Sequence, residues 1–185
     1  MPSRRHVLLL GTGGLIAVTG PTLAQPLACT PGIAATERQT EGPFFRGGSP
    51  LRVNLAGQLR GERVNLDGVV MARACQPVRG AIVDIWHADS AGDYDNRGYE
   101  LRGHQITDER GAWRFETIAP GRYPGRTPHY HVKVTPPGGR TLTTQLYFPG
   151  DPDNARDGLY KPSLQMRAVK AAAVVTARFD FIVEA

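Results

Sequence analysis

His129 and His131 stand one residue apart in "PGRYPGRTPHYHVKV", residues 120–134, with Tyr123 and Arg126 just upstream. Side chains of a strand alternate between faces, so a His-x-His pair on a strand sends both imidazoles to one side. Two imidazoles meeting at one point is metal-ligand chemistry, although two exposed histidines on an edge strand would carry the same spacing. His87, in "DIWHADSAGDYDN", offers a third nitrogen and with it a zinc site of the kind hydrolases use. Placed just before a turn, it reads equally well as structural. Tyr94 and Tyr123 follow glycine-containing turns and belong at loop tips near strand ends. A phenolate is a hard anionic donor that suits a hard trivalent cation, and a bound cation lowers the pKa of its own ligands. Two phenolates and two imidazoles leave Fe(III) with one net positive charge and room for a hydroxide. Either tyrosine alone would pass as a loop aromatic covering the core.

These residues need a scaffold of strands, and the chain supplies one. Short apolar or alternating runs occupy residues 63–72, 81–88, 103–108, 112–118, 130–135, 142–149 and 177–185. Turn chemistry separates them: "ARACQPVRG", "DERG", "PPGGR" and "GDPDNARDG". "TDERGAW" reads as a hairpin turn, and "MRAVKAAAVV" offers a short helix. Residues 25–50 are rich in Pro, Gly and Thr and read as loop. Many short strands without a long helical period predict an all-β, single-domain antiparallel sandwich. In "YHVKV", Tyr130, Val132 and Val134 share the apolar face, so His129 and His131 must line solvent or a cavity. In 177–185, Phe179, Phe181 and Val183 alternate with Arg178, Asp180 and Ile182 and predict one buried face. The acidic spacing of "GDPDNARDG" resembles a calcium loop but lacks the closing glutamate, so it reads as a plain turn.

Residues 1–24 carry Arg4 and Arg5, an apolar Leu- and Gly-rich run, and small residues near Ala24. This is the layout of a cleavable export signal, with a twin-arginine start, and its apolar run is too short for a spanning helix. The expectation is a bacterial exported protein, periplasmic, whose domain is residues 25–185 and whose mature chain makes no stable membrane insertion. Losing Arg4 and Arg5 takes the net charge from +5 to +3. That balance, with no basic block, excludes a nucleic-acid binder. Cys29 and Cys75 are the only cysteines; behind an export signal they read as a disulfide or as two buried thiols.

Four blocks in order resemble the intradiol ring-cleavage dioxygenases, the family of catechol and protocatechuate dioxygenases: "TERQTEGPFFRGGSPLR", "GAIVDIWHADSAGDYDN", "TDERGAWRFETIAPGRYPGRTPHYHVKV" and "LTTQLYFPGDPDNARD". Together they cover most of residues 36–158. The resemblance implies a transthyretin-like Greek-key sandwich holding Fe(III), with Tyr94, Tyr123, His129 and His131 as metal ligands. It implies that Tyr123 is the ligand released when a catechol binds, that Arg126 lies beside the substrate ring, and that Gln145 is an active-site glutamine. The implied reaction uses O2 to split a catechol between its hydroxyl-bearing carbons, giving a muconate-type diacid. The chain departs from the family in the six-residue step from Tyr123 to His129, in Gly125, in Tyr130 between the histidines, and in showing no N-terminal helical dimerisation segment. These bear on the substrate pocket and on whether it forms a homo-oligomer. A non-enzymatic transthyretin-like binding module and the zinc hydrolase stay open as alternatives.

Overall fold

A computed structural model describes residues 29–185. The export-signal expectation for residues 1–24 lies outside the described residues. Nine strands form two stacked sheets: β1 (Arg63–Ala72), β2 (Ile82–Trp86), β3 (Arg102–Ile106), β4 (Ala112–Ile118), β5 (His129–Thr135), β6 (Leu142–Tyr147), β7 (Arg167–Ala171), β8 (Val174–Arg178) and β9 (Phe181–Val183). Two short 3₁₀ turns, Asn154–Arg156 and Pro162–Leu164, lie between β6 and β7. One sheet runs β4-β1-β8-β7 with β9 also on β1; the other runs β3-β2-β5-β6.

The alternation seen in sequence is what packs the sandwich. Val64, Leu66 and Val70 of β1 and Trp113 and Phe115 of β4 face Val83 and Ile85 of β2 and Tyr130, Val132 and Val134 of β5, all in one buried cluster. Each fully buried aliphatic or aromatic side chain contributes roughly 1.5–3 kcal/mol relative to exposure. Tyr130 places its ring in this core and donates its hydroxyl to the Ile118 carbonyl at 3.0 Å, so the extra polar atom is satisfied. Cys29 and Cys75 are disulfide-bonded across a sequence separation of 46. Closing a loop of that length contributes about 4 kcal/mol in the chain-entropy model.

Three local expectations fail, each for a tertiary reason. "TDERGAW" does turn, with the Asp108 carboxylate accepting from the Arg110 and Ala112 amides. It joins β3 to β4, however, and these belong to opposite sheets, so it is a crossover between layers and not a hairpin. The "MRAVKAAAVV" helix is instead the β7–β8 hairpin, turning at Ala172 with φ of 52°. Pairing of β8 with β1 outweighs the alanines' helical preference. Residues 177–185 are not one strand. The chain pairs with β1 through β8, jogs at Phe179–Asp180, and pairs again through β9. Gly68 permits the jog, because a Cβ there would lie 1.7 Å from the Phe179 carbonyl oxygen. The Asp180 carboxylate accepts the Val69 amide in place of a ladder bond. The expected antiparallel β-sandwich is what forms, with β8 and β9 adding parallel pairing to β1.

Candidate metal centre

The site lies on the outer face of the β3-β2-β5-β6 sheet, away from the sandwich core. Register builds a row across all four strands: Arg102 opposite Trp86, Trp86 opposite His131, and His131 opposite Gln145. All four are at most 2 % exposed, although they face outward. What covers them is chain that is not strand. Residues 37–50 form a strap over this face, pinned by Thr144 Oγ1 to the Glu37 carbonyl, Gln145 Nε2 to the Thr40 carbonyl, and Ser49 Oγ to Asp84. Lys133 pairs with Glu41 and lies over the Phe45 ring. Gly42 passes so close that a Cβ there would lie 3.1 Å from His131 Cε1.

The two tyrosines arrive on loops that interlock. Gly92, two residues before Tyr94, and Gly121, two before Tyr123, pack one loop against the other. A Cβ on Gly92 would meet the Arg122 carbonyl oxygen at 2.2 Å, and one on Gly121 the Ser90 carbonyl oxygen at 2.5 Å. The Gly121 amide donates to the Asp89 carbonyl at 2.7 Å. Beyond Tyr94, the Asp95 carboxylate accepts from the amides of Gly98, Glu100 and Arg97, and these bonds hold it at about 2. Arg102 ties the Tyr94 loop to the strap, donating to the Asp95 and Phe44 carbonyls. Phe44 stacks on Tyr94 with ring centroids 4.3 Å apart.

Tyr94, Tyr123, His129 and His131 close a ring. Centroid separations are 6.1 Å for Tyr94–Tyr123, 6.1 Å for Tyr123–His129, 4.8 Å for His129–His131 and 6.1 Å for His131–Tyr94. Nε2 of His129 and Nε2 of His131 are 3.2 Å apart. His129 donates its Nδ1–H to the Thr127 carbonyl at 2.7 Å, which leaves the Nε2 lone pair to face His131. Burial, helped by Arg126, lowers His129 to about 4, and burial, helped by His129, lowers His131 well below its usual value, so both rings are neutral. Nδ1 of His131 is buried without a partner. With His131 protonated at Nδ1, its Nε2 lone pair faces that of His129, and a cation between the two Nε2 atoms would use both lone pairs. Burial, then Tyr123, raises the Tyr94 phenol, so it is neutral until a cation is present. The donor set therefore fits a hard metal ion.

His87 is not part of the ring. It donates Nδ1–H to the Ala88 carbonyl at 2.8 Å, accepts from Thr117 at Nε2 at 2.7 Å, and packs edge-on against core Tyr130. Both nitrogens are engaged on the core side of the sheet, which removes the third ligand of the zinc reading. No group of three His, Cys, Asp or Glu suited to a metal occurs among the described residues. The acids of "GDPDNARDG" meet arginines: Asp151 and Asp153 pair with Arg122, and Asp157 with Arg126.

Arg126 and Gln145 stand together at the ring's edge. Arg126 donates to Gln145 Oε1 at 2.5 Å and to the Tyr123 hydroxyl at 3.3 Å. Tyr147 donates to the same Oε1 at 3.0 Å. Burial alone would lower the Arg126 guanidinium, but Asp157 and then Tyr123 together outweigh it and hold the group above its usual value. Sequence reading missed Phe44, Trp86, Arg102 and Asp157. Trp86, stacked on His131 at 5.0 Å, was legible in principle, since it sits one register step across the sheet.

A family model described as "Dioxygenase" matches residues 41–184. Chlorocatechol 1,2-dioxygenase of Rhodococcus opacus is 31% identical over 171 residues, covering 76% of this chain and 64% of that protein. Hydroxyquinol 1,2-dioxygenase of Nocardioides simplex is 34% identical over 152 residues, covering 68% of this chain and 52% of that protein. The chain thus spans about half to two thirds of the length of these relatives. Among solved structures, the dioxygenase domain of a carbohydrate-binding fusion from Streptomyces sp. SirexAA-E is 44% identical, with a TM-score of 0.80. That match covers 82% of this chain and 99% of the other. With the two-sheet scaffold and the tyrosine–histidine ring on one page, the family follows: the chain belongs to the intradiol ring-cleavage dioxygenases.

Proposed function

We propose that this chain is a non-haem Fe(III) dioxygenase that cleaves a catechol-type ring between its two hydroxyl-bearing carbons, with O2, to a muconate-type diacid. The observation that carries this reading is the closed ring of Tyr94, Tyr123, His129 and His131, with Arg126 and Gln145 at its edge. These four side chains would hold the iron. A ferric ion there would supply Lewis acidity, making both catechol hydroxyls acidic. The chain's own groups do the rest. The Tyr123 oxygen, on a half-buried loop residue, would be a phenolate while it holds the metal, and on release it takes up one proton from a substrate hydroxyl and becomes a neutral phenol. Arg126 carries a fixed charge and a Nη group beside that oxygen, placed for negative charge that develops on the substrate. Gln145 accepts from the opposite Nη and helps fix the orientation of the planar fork. Phe44, Trp86 and the strap keep bulk water off the ligand face.

The non-enzymatic binding module has no use for neutral imidazoles facing each other in a buried site. We also propose export to the periplasm, since a Cys29–Cys75 disulfide suits an oxidising compartment. Protein from iron-replete cells should contain one iron per chain and absorb in the visible through phenolate-to-iron charge transfer. It should consume one O2 per catechol and give the diacid. Colourless protein carrying stoichiometric zinc, or a ring-cleaved semialdehyde product, would overturn the reading.

A further inference from the structure

The turn "GDPDNARDG" lies outside the ring of donors, yet it buttresses the loop that carries Arg126. Its acids are not equivalent. Arg122, partner of Asp151 and Asp153, has a side chain 51% exposed, and exposed pairs of this kind are worth little. Arg126 and Asp157 are 12% and 1% exposed. A buried pair costs desolvation at both ends, so its contribution to stability is small, and what it supplies is a fixed geometry.

The geometry is specific. Asp157 Oδ2 accepts from Arg126 Nε at 3.0 Å and from the Thr127 amide at 3.1 Å, and Oδ1 accepts from the Leu159 amide at 2.9 Å. Three donors anchor the carboxylate. The planar guanidinium is then held at Nε by Asp157 and at one Nη by Gln145. A rigid fork held at two points has its remaining Nη aimed in one direction, and here that direction is the Tyr123 hydroxyl. Asn154 of the same turn accepts from Thr127 Oγ1 at 2.8 Å, so Thr127 is also held through its side chain by a contact that does not depend on Asp157.

We propose that Asp157 is a positioning residue, which aims the Arg126 guanidinium at the Tyr123 hydroxyl and at the substrate beside it, and acts on turnover only through Arg126. The proposal rests on the functional reading above. The test is a double-mutant cycle on the full, iron-loaded chain with Asp157→Asn, Arg126→Ala and the double variant, together with a crystal structure of Asp157→Asn. Asp157→Asn should keep its iron and visible band and lose about 10- to 100-fold in kcat with little change in KM. In the Arg126→Ala background the same change should alter kcat less than about twofold. In the crystal, the guanidinium should leave Gln145 while Thr127 and His129 stay in place. An equal loss in both backgrounds, full activity of Asp157→Asn, or an unmoved Arg126 would overturn the proposal. If Asp157→Asn folds poorly because Arg126 is left unpaired, the double variant, lacking both charges, should recover the melting temperature; failure to recover it would assign Asp157 a purely structural role. Wild-type protein that does not cleave catechols would overturn the functional reading instead, and the crystal would still decide whether Asp157 holds Arg126.

Discussion

The two sides of the donor ring are made differently. His129 and His131 come from one strand, β5, whose register against β2 and β6 fixes both rings. Tyr94, Tyr123 and Arg126 come from loops that hold position only because Gly92 and Gly121 let them interlock and because Asp95, Arg102 and Asp157 bind them down. The strand side is placed by a ladder of backbone bonds that the whole sheet shares. The loop side is placed by a few particular contacts, so it is more easily displaced and better able to move. On the function proposed above, Tyr123 gives way to substrate, and it stands on that side.

The largest effect should separate the two sides outright. His131→Ala removes a donor that no neighbour can replace, and iron content should fall below about a tenth of stoichiometric, with loss of colour. Tyr123→Phe, on the loop side, should keep most of its iron, shift the visible band, and bind catechol without first having to release a ligand. Metal analysis and absorbance check both; equal iron loss in the two variants would erase the distinction.

Next comes Arg126→Ala. Iron, colour and catechol binding should survive, while kcat falls by about two to three orders of magnitude, the usual cost of one preorganised charge donor. Stopped-flow spectra with oxygen uptake separate binding from turnover.

Gly92→Ala sharpens the comparison without replacing a candidate ligand. Its φ of 96° and the 2.2 Å approach to the Arg122 carbonyl force the Tyr94 and Tyr123 loops apart. Metal affinity should drop about tenfold and stability by about 1–3 kcal/mol, while β5 amides keep their hydrogen-exchange protection. Loss of protection along β5 would mean that the loops and the strand stand or fall together.

The smallest effect is in the acid limb of stability. Asp95 is held at about 2, below its usual 3.8, by amide bonds from Gly98, Glu100 and Arg97. A carboxylate depressed in the folded state contributes stability that is fully present above its unfolded value and lost as pH falls through its folded one. Thermal melts of wild type between pH 4 and 2 should therefore fall more steeply than those of Asp95→Asn, with the curves running parallel at neutral pH.

How much of this was legible follows the same division. Period-two alternation put Tyr130, Val132 and Val134 inward, and so put His129 and His131 outward together, because strand geometry alone relates neighbours along a chain. Tyr94 and Arg126 have no such periodicity. Their placing was legible only as a resemblance of motif blocks to a family, and the contacts that hold them come from residues far off in sequence. The failures share this cause. A turn sequence at 107–113 states that the chain reverses, not which sheet receives it, and an alanine-rich run at 168–173 becomes a hairpin because β1 offers β8 a parallel partner.

From sequence alone came the all-β class, the apolar face of each main strand, the cysteine pair as a candidate bridge, and the four candidate ligands. Tertiary structure alone decided that Cys29 meets Cys75, that His87 spends both nitrogens on the core side, and that Asp157 stands behind Arg126. The physical reason is range. Alternation and turn chemistry act over a few residues, whereas a buried site is closed by partners far off in sequence, such as Arg126 with Asp157, 31 residues on, and Gln145 with Thr40, 105 residues back. Only the packed sandwich brings such partners within a hydrogen bond.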